Sequence, residues 1–118
     1  MKILLVEDDK MHVDFLREIV ESALPEFDEI LIARDGKEGE TLAQRHKVTA
    51  IVMDLRMKEH NGIEAARTIW ARCPDTRIMF WSNYSDEAYL RGIANIVPHQ
   101  ATYGYVLKTA TQDRMRLA

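Results

Sequence analysis

Cysteine is almost missing from this chain of 118 residues: Cys73 stands alone, so no disulfide can form within it. No apolar run approaches the roughly 18 residues of a membrane span. A strand-like run begins at once after Met1, so no signal peptide is expected. Basic blocks are missing too. Charged residues make up 30% of the chain and the formal net charge is -3, so nothing here would track a nucleic-acid backbone. With three prolines and five glycines there is no linker, repeat or low-complexity stretch. These absences leave one compact domain over residues 1–118, with no direct nucleic-acid contact and no membrane, and a reducing cytoplasm as its expected setting.

Apolar residues, by contrast, are plentiful at 47% of the chain, enough for a real core. They gather in five short, nearly continuous runs: Ile3–Val6, Ile30–Ala33, Ala50–Met53, Ile78–Trp81 and Tyr105–Leu107. Continuous runs predict strands buried on both faces, as in a parallel sheet. Helical spacing lies between them, in Phe15/Leu16/Ile19/Val20, in Ile63/Ala66/Ile69/Trp70 and in Leu90/Ile93/Ala94/Val97. A more polar helix is expected at 36–46. Asp35 with Glu38 and Asn61 with Glu64 have capping-box spacing, Ser85 suits an N-cap, and Pro25 and Pro74 follow helix ends. The order is strand then helix, five times, with a last helix near Gln112–Ala118 of only about two turns. Right-handed crossovers then place helices on both faces of one open sheet.

The residue after each strand carries the chemistry. Glu7, Asp8 and Asp9 follow the first run, Asp54 the third, Ser82 the fourth and Lys108 the fifth. In an open parallel sheet these positions share the carboxyl edge, where such folds bind ligands. Singly, each has an ordinary explanation: Asp8 or Asp9 as a helix cap, Ser82 as a loop hydroxyl, Lys108 as a solvated lysine. Asp54 resists one, because it ends a fully apolar strand. Carboxylates at close range in a desolvated cleft repel, and a hard divalent cation such as Mg2+ removes that repulsion. A carboxylate beside magnesium and lysine suits phosphoryl acceptance.

The strings ILLVEDD, IVMDLRMKEHNGIEA, IMFWSNYS and YGYVLK, in this order, resemble the signature segments of the response-regulator receiver domain of two-component signalling, the CheY-like family. That resemblance implies a flavodoxin-like (βα)5 doubly wound sheet in the order 2-1-3-4-5, here with a truncated last helix. It implies Asp54 as phosphoacceptor, with magnesium held by Asp8, Asp54 and the backbone carbonyl of Arg56, and by Glu7 through water. Ser82 and Lys108 would hold the phosphoryl group, Ser82 and Tyr105 would form the switch, and Arg56 and Asn83 would tune autodephosphorylation. A sensor histidine kinase or phosphotransfer protein would be the donor. A phosphorylation-dependent homodimer would use the fourth helix, fifth strand and last helix. The chain would not be an enzyme beyond its own phosphoryl transfer and autodephosphorylation.

Departures from the family pattern are Lys58 in place of proline, Asn83 in place of a small residue, Thr109 after Lys108, and a long Asn95–Tyr103 stretch. Thr109 resembles receivers joined to helix-turn-helix output domains, the NarL/FixJ-like transcriptional regulators, which implies continuation into a DNA-binding domain. The alternative is a degenerate receiver acting only as a phosphorylation-independent interaction module. A haloacid-dehalogenase-like phosphatase needs Asp-x-Asp after the first strand, where Glu7-Asp8-Asp9 stands, and a flavin site needs a glycine-rich phosphate loop there. His12, His46, His60 and His99 are dispersed without ligand spacing, Gly62 opens a helix without a phosphate-loop pattern, and Met57, Met79 and Cys73 read as packing or indifferent residues.

Overall fold

The computed structural model describes residues 1–55, 61–82, 87–99 and 101–107, with 87–90 and 105–107 described by backbone alone. Five strands, β1 (Lys2–Val6), β2 (Glu29–Ala33), β3 (Ala50–Asp54), β4 (Arg77–Ser82) and β5 (Tyr103–Leu107), alternate with α1 (Lys10–Ala23), α2 (Gly36–Arg45), α3 (Gly62–Arg72) and α4 (Glu87–Ile96). All pairings are parallel and the strand order is β2-β1-β3-β4-β5, as the continuous apolar runs require. The fifth strand starts two residues before its apolar run, at Tyr103, because Gly104 interrupts the run without interrupting the ladder.

Alternation along the strands divides the core. Leu4, Val6, Ile51, Met53, Ile78 and Phe80 face a cluster completed by Ala43 of α2, by Ala65, Ala66, Ile69 and Trp70 of α3, and by Ile93 of α4. Ile3, Leu5 and Trp81 face the opposite way, onto Leu16 and Val20 of α1. Val13, Leu16 and Val20 are the buried residues of α1, and their spacing of three and four forms one stripe.

Local signals set the helix ends. Asp9 settles which acid caps α1: its side chain accepts from the amides of Met11 and His12. Asp35 and Asn61 cap α2 and α3 in the same way, at 2.8 and 2.9 Å. The polar helix α2 fits closely on the sheet because of Gly39, where a Cβ would come within 3.0 Å of Val6. Cys73 is the C-cap of α3 and is exposed. Met79, expected to pack, is 40% exposed on the α1 face. At the amino end of β4 the Trp70 indole donates to the carbonyl of Thr76 at 2.8 Å, tying α3 to the strand that follows it.

Candidate functional site

Every strand of a parallel sheet points the same way, so the residues ending β1, β3 and β4 meet at one edge. Glu7 extends the β1 ladder by one bond, its amide donating to Ala33 at 2.9 Å. Asp54 closes β3 and lies in register with Trp81, which puts Ser82 one residue further along the neighbouring strand. These three polar residues are as buried as the core: Glu7 is 1%, Asp54 4% and Ser82 1% exposed. Asp8 is exposed beside them. Ligand oxygens of Glu7, Asp8 and Asp54 all lie within 4.8 Å of one another.

That spacing has an energetic meaning. Two carboxylates about 5 Å apart repel by roughly 3 kcal/mol at an effective dielectric near 20, and three acids make three such pairs. Burial of two of them sharpens the cost of ionisation further. A cation relieves it. The donors are all oxygen, from carboxylates, and Asp8 opens to solvent, so a hard ion that keeps part of its water shell fits this set better than a thiol- or imidazole-seeking metal.

The Glu7 carboxylate is not loose. Its Oε1 accepts from the amide of Asp9 at 3.2 Å, and the Nδ1 atom of His12 lies 3.3 Å away. Outside the acids, a cleft of about 160 Å3 is lined by Glu7, Asp8, Lys10, Asp14, Arg17 and Arg34, mixing both signs of charge. A larger cavity, about 460 Å3, lies instead against the apolar α1 face around Leu16, Val20 and Phe27, and none of the acids of the cluster lines it.

Thus Glu7, Asp8, Asp54 and Ser82 come together at the carboxyl edge where the sequence placed them. Arg56, Asn83 and Lys108 lie outside the described residues, as do Met57, Lys58, His60, Ser85 and Gln112–Ala118. For Tyr105 the backbone is placed, opposite Phe80. Two residues gain importance that sequence reading did not give them. Gly62 donates its amide to Leu55 at 3.0 Å, and a Cβ there would overlap the Asp54 carbonyl oxygen and stand 2.9 Å from Met53. Only a residue without a side chain brings α3 so close to Asp54. A glycine at a helix start gave no signal of this, because its partner lies on the preceding strand. His12 is the second.

Comparison with known proteins places this geometry. The family model described as the response regulator receiver domain matches residues 3–118, and the chain belongs to that family. It is similar to the transcriptional regulatory protein DegU of Brevibacillus brevis, 27% identical over 115 residues that cover 98% of this chain and 47% of that protein. It is similar also to the transcriptional regulatory protein LnrK of Bacillus subtilis, 30% identical over 116 residues, 96% of this chain and 49% of that one. The chain therefore spans about half the length of the curated relatives it matches. Among solved structures, a two component transcriptional regulator AraC from Clostridium phytofermentans ISDg superposes with a TM-score of 0.74 at 31% identity, over 99% of this chain and 90% of that one. A LuxR-family two-component response regulator from Aurantimonas matches with a TM-score of 0.80 at 24% identity, over 98% of this chain and 83% of that chain, a likeness of fold. The chain is a receiver domain of the two-component response regulators, related to regulators of transcription. Among the described residues no helix is long and apolar enough to cross a membrane.

Proposed function

We propose that this domain is a phosphoryl-accepting switch, with Asp54 as the acceptor and Mg2+ as its cofactor. The observation that supports the reading best is the convergence of Glu7, Asp8 and Asp54, two of them buried, with Ser82 buried on the adjoining strand. A carboxylate oxygen of Asp54 attacks phosphorus in line with the bond to the donor. The new O–P bond forms as the P–N bond of a phosphohistidine breaks, and the imidazole leaves with a proton from solvent. Magnesium, when bound, supplies neutralising charge to the phosphoryl oxygens. Asp8 and Asp54 would hold it directly with the Arg56 carbonyl, and Glu7 would act through water.

Ser82 hydrogen-bonds the phosphoryl group and Lys108 pairs with it, while Arg56 and Asn83 flank the path of the hydrolytic water. Engagement of Ser82 draws Tyr105 inward, a shift between two packings in which about 1.4 kcal/mol changes populations tenfold. The donor is a sensor histidine kinase or phosphotransfer protein. The output is transcriptional, in the cytoplasm, through a domain joined to this one, and the modified face of α4, β5 and the last helix pairs with a second copy. The domain catalyses nothing beyond its own modification and its reversal.

Incubation with a small acyl phosphate and Mg2+, followed by intact mass, tests the reading. One phosphate-sized increase is expected, absent in Asp54→Asn. Undiminished labelling of that variant refutes the acceptor assignment, and no labelling of the parent favours a phosphorylation-independent interaction module.

A further inference from the structure

His12 lies off the buried stripe of α1, so the packing of the helix does not account for it. Its ring is nevertheless held on two sides. Nδ1 stands 3.3 Å from Oε1 of Glu7 and 3.9 Å from Oδ2 of Asp9. The ring meets Trp81 edge to face, with centroids 5.4 Å apart and planes at 76°. Trp81 is itself fixed, being 2% exposed and stacked on Phe15 at 6.3 Å. A carboxylate that is ionised, as a cation ligand must be, only accepts hydrogen bonds, and the Nδ1 that faces Oε1 of Glu7 is then the donor.

Holding one oxygen of a carboxylate fixes its plane, and with it the direction of the other oxygen. The Asp9 amide reaches Oε1 from the backbone, and His12, five residues along the chain from Glu7 and braced by the indole, reaches the same oxygen from the helix.

We propose that His12 is a positioning residue of the acidic site. Its Nδ1–H sets the orientation of the Glu7 carboxylate and thereby the affinity of the site for a divalent cation. The proposal rests on the reading that Glu7, Asp8 and Asp54 hold Mg2+. Partners that orient a metal's ligands are typically worth about 10–100-fold in affinity.

The test separates the donor from the ring. His12→Phe keeps a ring against Trp81 and loses the donor; His12→Asn loses the ring and keeps an N–H near the place of Nδ1. Mg2+ binding is measured by calorimetry at one fixed pH on the parent, on both variants and on Asp8→Ala, with thermal unfolding to show that each is folded. The expected result is a Kd raised on the order of tenfold in His12→Phe, and recovery to within about threefold of the parent in His12→Asn. A Phe variant that binds like the parent overturns the proposal. So does an Asn variant as weak as the Phe variant, since the ring's packing is then what matters. If the parent takes up no Mg2+, or Asp8→Ala binds as well as the parent, the reading of the site itself fails and the role of His12 falls with it. Loss of binding in Asp8→Ala with none in His12→Phe leaves the site standing and removes His12 alone.

Discussion

At the amino ends of the strands charge stands in water; at their carboxyl ends it is buried. Lys2 and Glu29 begin β1 and β2 and form an ion pair of 3.5 Å, with side-chain exposures of 38% and 48%. Arg77 begins β4 and is exposed. At the other edge Glu7 follows β1, Asp54 ends β3 and Ser82 ends β4, none more than 4% exposed. An exposed pair contributes less than about 1 kcal/mol and asks nothing of its surroundings. Acids buried together cost stability unless something neutralises them. The difference teaches where to look for function in such a sheet: at the end where the polar residues are arranged against folding's interest.

The contrast can be broken experimentally. The largest effect is expected from Gly62→Ala, at the carboxyl end. The new methyl has to displace the backbone carbonyl of Asp54, which cannot yield as a flexible side chain would. A loss of about 3 kcal/mol is expected in denaturant unfolding. A variant as stable as the parent would show that α3 moves off freely.

Next comes Asp54→Asn. It removes one of three mutually repelling charges and with it two of the three pair repulsions, so without divalent ions it should be more stable than the parent, by roughly 2 kcal/mol, well below the sum of two pairs because Asp8 is solvated. Added Mg2+ should raise the parent's unfolding midpoint and leave the variant's nearly unchanged. Destabilisation by Asp54→Asn in metal-free buffer would contradict the picture of a strained carboxyl end.

At the amino end Trp70→Phe should cost about 1–2 kcal/mol, because the Thr76 carbonyl loses a buried donor. Mg2+ affinity should not change. A shift in affinity would mean that the two ends are coupled. The smallest effect belongs to Asp28, just before β2. Its carboxyl is held below its ordinary 3.8 first by a hydrogen bond from the amino terminus at 3.1 Å and then by that group's charge. A lowered native value stabilises the fold fully above about pH 4 and loses this as pH falls through the native value. Asp28→Asn should therefore match the parent's midpoint more closely at pH 2.5 than at pH 7, by a small margin because the group is fully exposed.

Much of this architecture was legible. Continuous apolar runs marked the strands, two capping pairs marked helices, and Glu7, Asp8, Asp54 and Ser82 declared themselves by following those runs. What escaped has physical reasons. Strand starts such as Lys2, Glu29 and Arg77 are solvated, so an apolar run hides them. Whether Asp8 or Asp9 caps α1 depends on one side-chain rotamer, which adjacent identical residues cannot reveal. Gly62 matters through an atom eight residues away on another element, and His12 through a carboxylate before its helix begins; neither relation has a period to detect. Met79 was read as packed because apolar, although the face it points to is only partly covered.

Pairing in the sheet has a consequence for synthesis. β1 leaves the ribosome first, yet Ile3 finds its inner neighbour only when Ala50 has been made, and Asp54 meets Trp81 later still. At about 5–20 residues per second, the first strand waits for seconds beside incomplete partners. The three acids can meet only once β3 has joined β1. On the proposed reading of the site, ion binding is then a property that a nascent chain acquires only after its first half is made. Ion uptake would serve as a clock for assembly of the sheet, and truncated chains of increasing length should show none before β3 has emerged.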